Sequence, residues 1–358
     1  MASVGTLTGP IGATVLPVLQ GAQVWVRFAN AGGGLDGHEV RMLVYDDGAD
    51  PARHKAQVQE AVERNKVIAF LSNTEGQAGR PTQEYLTRKR IPVIGSETGG
   101  DYFYDSPLYF PQAPHGSVSF SAALVAAADQ LLPRGQTRLA TVSCVEASPC
   151  TLADEVWARE AGGAGFKPVY RGRSSLTQPD FTAECLAARN AGADVFMVGL
   201  DPASIQRLAR SCARQGYRPT YATFSALLAD RMKDDPNLTG LVAASNVFPY
   251  FQSGNPAVDE YHQAMRTFGA GVPVGVGSAL GWVSAKLFER AAATLSEPPT
   301  PGDILRGLWS LRGDTLGGLT QPLTFVEGQP APRLRCWFSM TIHDRTWESP
   351  DGYRQHCQ

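Results

Sequence analysis

The stretch Val40-Arg41-Met42-Leu43-Val44-Tyr45-Asp46-Asp47-Gly48-Ala49-Asp50-Pro51 decides how the chain is read. Its first half, Val40–Tyr45, is an apolar strand-like run. Beyond Pro51, the residues Val58, Ala61 and Val62 fall on one face of a helix lying between Asp50 and Asn65. Strand, loop and helix make one βα unit, and the unit recurs on both sides. Upstream, Ser3–Leu7 reads as a strand, followed by a helix whose face is Val18, Ala22, Trp25 and Ala29. Downstream, Val67–Leu71 and Pro92–Ile94 read as two further strands. Strands alternating with helices imply a parallel sheet covered on both faces.

The pattern then restarts. A helix over Ser117–Leu131 leads to a strand at Arg138–Val142 and a helix at Leu152–Ala164. A short strand at Val169–Arg171, a helix at Phe181–Ala191 and an apolar strand at Asp194–Val198 follow. Ile205, Leu208, Ala209 and Cys212 mark another helical face, and strands begin near Thr220 and at Leu241–Ser245. The fold class is α/β, with two Rossmann-like lobes on parallel sheets and a crossing near Ala113–Gly116. After Phe248 the order changes. Val258, Tyr261, Met265 and Phe268 share a helical face. A long helix over Ser278–Leu295 and a short one over Pro301–Trp309 precede strands near Pro322–Phe325 and Leu334–Thr341.

Composition narrows the function classes. The chain has 358 residues, comfortable for two domains, and is 43% hydrophobic and 18% charged, so it folds as a globule. A net charge of −2, with no basic run longer than Arg88-Lys89-Arg90, gives no reason to expect nucleic acid or an anionic membrane. No run of about 18 apolar residues is present to span a bilayer. Met1 is followed almost at once by the first strand, so the expected form is a mature extracytoplasmic protein whose signal peptide has been removed.

The cysteines Cys144, Cys150, Cys185, Cys212, Cys336 and Cys357 fall in neighbouring pairs and show no zinc spacing. Sequential disulfides are the expectation, though six cysteines allow fifteen pairings and buried free thiols are the alternative. The histidines form no metal spacing. Gly275-Val276-Gly277-Ser278-Ala279-Leu280-Gly281 misses the dinucleotide spacing, and Gly95-Ser96-Glu97-Thr98-Gly99 is no nucleophile elbow. No metal, no cofactor and no catalytic residue are therefore expected.

Several stretches resemble a known family, the type I periplasmic solute-binding proteins of the leucine/isoleucine/valine-binding class. Val4-Gly5-Thr6-Leu7-Thr8-Gly9-Pro10 looks like its first strand and first cleft loop. Gly32-Gly33-Gly34-Leu35-Asp36-Gly37 resembles the turn before its second strand, and Val44 to Pro51 is close to its Asp-Asp-x-x-Asp-Pro signature. Ile91 to Ser96, Gly240-Leu241 through Phe248-Pro249, and Pro322-Leu323-Thr324-Phe325 follow in the family's order. The resemblance implies discontinuous lobes, 1–115 with 250–325 and 116–249 with 326–358, joined by a three-crossing hinge and closing on a ligand between them. It implies a monomer that captures a small molecule and hands it to the permease of an ABC transporter, in the periplasm or anchored at the cell surface. A ligand-sensing receptor or regulator of the same fold is the alternative; an enzyme is less favoured.

Ligands of open α/β sheets sit beyond the C-terminal strand ends. That rule selects the loops Thr8–Thr14, Ser72–Gly79, Gly95–Asp101 and Cys144–Leu152, with those after Val198 and Ala222. The resemblance makes Asn73, Thr74 and Glu75, and Ser96, Glu97 and Thr98, the gripping residues for a ligand carboxylate. In the second lobe, Thr223-Phe224-Ser225-Ala226-Leu227-Leu228 lacks the acid that holds an α-ammonium in the family's amino-acid binders. Asp201 and Glu146 are the candidate substitutes, with Ser148 beside Glu146; the alternative for either acid is an ordinary surface carboxylate. Phe224, Tyr250 and Trp282 are candidates to line an apolar pocket, whereas Phe248 reads as core. Glu75 and Glu97 turned towards the ligand would disfavour an anion and favour a donor-rich or cationic compound; alternatively, Glu75 pairs with Arg80.

Overall fold

A computed structural model of the chain describes residues 1–76, 78–96 and 100–358, without the side chains of residues 9–11, 13 and 14. The chain forms two compact units. The first takes Met1–His115 and Ser253–Leu334; the second takes Gly116–Gln252 and Arg335–Gln358. The backbone therefore passes from one unit to the other three times.

In the first unit, β1 (Ala2–Gly5), α1 (Gly9–Ala31), β2 (Leu43–Asp46), α2 (Pro51–Glu63), β3 (Phe70–Leu71), α3 (Gln83–Lys89), β4 (Val93–Ile94) and β5 (Tyr109–Phe110) follow in order. The strands pair in parallel in the spatial order β2-β1-β3-β4-β5. The β2 strand starts at Leu43, later than the apolar run suggests, because Asn30 claims Val40. Its side chain donates to the Val40 carbonyl (2.9 Å) and accepts from the Val40 amide (2.8 Å). α1 begins at Gly9, so the expected loop Thr8–Thr14 is largely the first turns of a helix.

The second unit runs α4 (Ser117–Leu131), β6 (Arg138–Cys144), α5 (Ser148–Glu160), β7 (Lys167–Ser174), α6 (Thr182–Asn190), β8 (Val195–Gly199), α7 (Pro202–Arg214), β9 (Thr220–Phe224) and β10 (Val242–Ser245). The chain returns to the first unit for α8 (Pro256–Phe268), α9 (Val276–Ala291), α10 (Pro301–Ser310) and the hairpin β11 (Arg312–Asp314) with β12 (Leu323–Thr324). It ends in the second with β13 (Cys336–His343), β14 (Thr346–Glu348) and β15 (His356–Cys357). The second sheet is ordered β14-β13-β10-β9-β8-β6-β7. It is parallel from β10 to β7 and antiparallel where β13 meets β10.

Local chemistry fixes these elements. Asp50, Asp201 and Asn255 each accept from two backbone amides at a helix start that is followed by proline. Thr300 and Asp303 bond each other's backbone amides at the start of α10. α5 starts at Ser148, four residues before the expected Leu152, because Pro149 fits the first turn of a helix. Phe325 packs edge-on to Phe110 (5.1 Å), and Arg333 lies over the Tyr104 ring (5.2 Å); these contacts hold the segment up to Leu334 on the first unit.

All three disulfides are sequential: Cys144–Cys150, Cys185–Cys212 and Cys336–Cys357. The first spans the loop from β6 into α5, the second ties α6 to α7, and the third joins β13 to β15.

Candidate functional site

Each sheet has one point where the strand order reverses, and ligands of such sheets sit there. In the first sheet it lies between β1 and β3, because β2 is on one side and β3 to β5 are on the other. In the second it lies between β6 and β8.

At the first switch point the Asp46-Asp47-x-x-Asp50-Pro51 signature acquires a physical meaning. Asp46 accepts from the Leu7 amide (2.9 Å) and the Thr8 hydroxyl (2.6 Å); Asp47 accepts from the Thr6 hydroxyl (2.7 Å) and the Ala49 amide (2.8 Å). Two carboxylates on β2 and its turn thus shape the loop after β1, while Asp50 caps α2. The Thr8 hydroxyl, with the Gly48 and Leu7 amides, holds the Asp46 carboxyl below its ordinary range.

The loop after β3 is locked to β1. Thr74 donates its amide to the Val4 carbonyl (3.2 Å) and accepts from the Thr6 amide (3.0 Å). A Cβ on Gly5 would come within 2.3 Å of its hydroxyl oxygen, so any larger residue at the end of β1 would displace the Thr74 side chain. Asn73 accepts from the Val4 amide (3.1 Å) and donates to Glu75 (2.8 Å). Ser72 and Ser96, at the ends of β3 and β4, both have left-handed backbones (φ 56° and 84°). Such strain in non-glycine residues gathers at functional sites. The Ser96 amide donates to Gln112 (3.0 Å), and its hydroxyl meets that of Ser284 on α9 (2.6 Å). Glu97 and Thr98 lie outside the described residues.

Glu75 differs from its expected role. It is 1% exposed and its carboxylate points into the first unit, where it accepts from Tyr102 (3.0 Å) and Asn73 and lies 3.3 Å from the His54 Nε2. Its partner is His54, not Arg80, which faces Asp105 at 3.8 Å. The other ring nitrogen of His54, Nδ1, lies 2.9 Å from Asp47. Asp47, His54 and Glu75 thus form a fully buried acid–imidazole–acid row under the loop. Both ring nitrogens face carboxylates, which leaves no free nitrogen to act as a general base toward a substrate.

Burial alone would push the His54 ring down, but the Asp47 hydrogen bond and the Glu75 charge outweigh it and raise its pKa above the ordinary 6.5. Burial raises the Glu75 carboxyl above 4.5, against the opposing His54 charge and the Tyr102 and Asn73 hydrogen bonds. Both shifts have the same sense: the folded row holds its protons more tightly than the free groups do.

His115 behaves oppositely. It is fully buried against Phe103 (5.0 Å), and neither ring nitrogen has a hydrogen-bond partner among the described residues. Burial lowers its pKa from 6.5 to about 3. The unfolded chain therefore takes up this proton first. The stability due to His115 is complete above pH 6.5 and falls as the pH drops towards 3, by about 2 kcal/mol at pH 5. Chemical unfolding of the protein and of His115→Phe across this range checks it. The expected result is a shallower acid slope in the variant; equal slopes would contradict the assignment.

At the second switch point, Glu146 is exposed and ties the loop after β7, accepting from the Ser175 hydroxyl (2.6 Å) and the Leu176 amide (2.8 Å). Asp201 caps α7 through the Ala203 and Ser204 amides. Both carboxylates are spent on local structure. Ser148 is exposed at the start of α5. Phe224 is half-buried against Phe120 (4.9 Å), and Tyr250 is buried with its ring edge on Phe251 (5.2 Å). Trp282 is no pocket wall. It is fully buried in α9 between Phe28 (5.6 Å) and Tyr261 (5.7 Å), in the first unit's core.

Sequence reasoning missed His54. Its signal was present, since His54, Val58 and Ala61 share one helical face at spacings of four and three. Among the described residues, no group of three or more histidine, cysteine or acidic side chains could hold a metal ion. No helix there is long and apolar enough to cross a membrane.

The parallel sheets, three passages and paired switch points define a two-lobed binding-protein class. The family described as "Periplasmic binding protein" matches residues 1–342. The chain belongs to this family, as a type I member of the leucine/isoleucine/valine-binding class. A branched-chain amino acid ABC transporter protein from Thermus thermophilus with bound valine is 16% identical (TM-score 0.82, covering 100% of this chain and 96% of that one). A substrate-binding periplasmic protein from Ralstonia solanacearum is 19% identical (TM-score 0.80, 99% of each chain). A fatty acid ABC transporter substrate-binding protein from Thermomonospora curvata is 17% identical (TM-score 0.74, 95% of this chain and 87% of that one). No curated protein matches the chain in sequence.

Proposed function

We propose that the chain is the extracytoplasmic solute-binding component of an ABC importer, and that its two units close on a small apolar or aromatic carboxylate and deliver it to a permease. The observation that carries the ligand class is the withdrawal of Glu75 into the first unit by His54. With that charge turned inward, the loop after β3 no longer repels an anion. In the second unit Glu146 and Asp201 are committed to local hydrogen bonds, so neither favours an α-ammonium group. A carboxylate without a neighbouring amine therefore fits better than an amino acid. Valine and a fatty acid, named with two structural relatives, both join a carboxylate to an apolar body.

Ligand contacts made from both units exist only when they close, so ligand shifts that population and no bond need break. A thermal-shift panel of phenylacetate, octanoate, valine, phenethylamine and putrescine tests the reading. A ligand bound only by the native state at a hundredfold excess over Kd adds about 2.7 kcal/mol. Phenylacetate and octanoate are expected to raise the melting temperature most, valine less, and the two amines to leave it unchanged. A shift with the amines alone would overturn the ligand class.

A further inference from the structure

The buried row under the loop after β3 joins three separate segments. Asp47 comes from the turn after β2, His54 from α2, and Glu75 from the loop itself. Asp47 receives the Thr6 hydroxyl and the Ala49 amide, and Glu75 receives the Asn73 amide and the Tyr102 hydroxyl. Among the described residues, every partner of the two carboxylates other than His54 is thus a donor, so both act as acceptors. An imidazole lying between two acceptors satisfies both only when each ring nitrogen bears a proton. The Thr82 hydroxyl, 3.5 Å from Nε2, already donates to the Gly79 carbonyl (2.6 Å). The remaining titratable neighbours, Tyr102 from the turn at 101–104 and Tyr109 from β5, face the row through Glu75. Among the described residues, no arginine or lysine is paired with Asp47, His54 or Glu75, so His54 supplies the cation.

We infer that His54 is a positioning residue, a doubly protonated imidazole that latches Glu75 beneath the loop after β3 and makes the order of that loop depend on pH. The consequence for affinity rests on the proposed function, since it takes this loop as a ligand grip. A structural filler would not need charge, because Val58 and Ala61 fill the same helical face with apolar groups. Removing the imidazole strands a buried carboxylate, which is far costlier than removing both partners together. The sign follows from a histidine whose pKa is raised on folding. The latch is lost as the pH rises through the folded His54 value, which lies above 6.5, and at the acid end it is lost again as Glu75, whose carboxyl is raised above 4.5, takes up a proton.

Three measurements on the full chain test this. Histidine ring NMR, with His54→Gln as the assignment, should show both His54 nitrogens protonated at about pH 7, while His115 stays neutral. A neutral His54 there would overturn the inference. Backbone hydrogen exchange in residues 72–76 and 78–79 should quicken about tenfold or more in His54→Gln, with the second unit unchanged. If His54→Gln does not fold, His54→Gln/Glu75→Gln should, since it removes both charges. Failure of the double variant as well, or unchanged exchange in a folded His54→Gln, would contradict a charge latch.

Titration with phenylacetate then separates the two readings. If it binds, Kd in the parent protein should weaken about tenfold between about pH 6 and pH 9, and the double variant should show no such trend. If nothing in the carboxylate panel binds, the solute reading fails, while ring protonation and loop exchange still decide the latch.

Discussion

Gly281→Ala is expected to destabilise the protein by about 3 kcal/mol or more, although alanine is the better helix former by about 1 kcal/mol. Gly281 lies in α9 where that helix crosses α1. A Cβ there would lie 1.9 Å from the Val18 carbonyl oxygen and 2.9 Å from the Ala22 amide nitrogen. On the facing helix, a Cβ at Gly21 would lie 2.1 Å from the Ser278 carbonyl oxygen. The obstructing atoms are backbone, so no rotamer change can clear them and the helices must separate. Propensity and packing predict opposite signs, and the overlap decides for packing. The consequence should reach the site, because Ser284 on α9 meets the Ser96 hydroxyl (2.6 Å). Denaturant unfolding measures the loss. A variant as stable as the parent would show that α1 and α9 do not pack this closely.

The second large effect is the loss of Cys185–Cys212. Both cysteines are fully buried, and the bond closes a sequence separation of 27 between α6 and α7. Chain-entropy reasoning gives such a loop about 3.5 kcal/mol, more than the separation of 6 closed by Cys144–Cys150. The double substitution Cys185→Ala/Cys212→Ala should therefore lower the midpoint of unfolding substantially and abolish most of its dependence on reductant. A loss under about 1 kcal/mol would mean that the two helices are held by packing alone.

How much of this was legible in the sequence depends on the range of the interactions. Ser117–Leu131 reads directly as a helix because its apolar positions and its limits are local. β5 was not read at all, since Tyr109–Phe110 is two residues long and stops at Pro111. Val40 looked like strand until its partner proved to be Asn30. Trp282 looked like a pocket wall because aromatic residues mark pockets. However, α9 is apolar on nearly every side, and such helices are buried. Glu75 lies in the loop after β3, as its sequence position implies, but its carboxylate points into the first unit. Its partner lies 21 positions earlier on α2, and no pattern within the loop reveals that pairing. The cysteines were legible because each pairs with the next along the chain.

The most direct test of the central claim is calorimetric titration of the protein with a matched pair, phenylacetate and phenethylamine, which share a body and differ in head charge. Binding of phenylacetate, with the compound recovered unchanged and no binding of the amine, is the result that the inward-turned Glu75 and the committed second-unit acids predict. Binding of the amine alone, or recovery of an altered compound, would contradict the account.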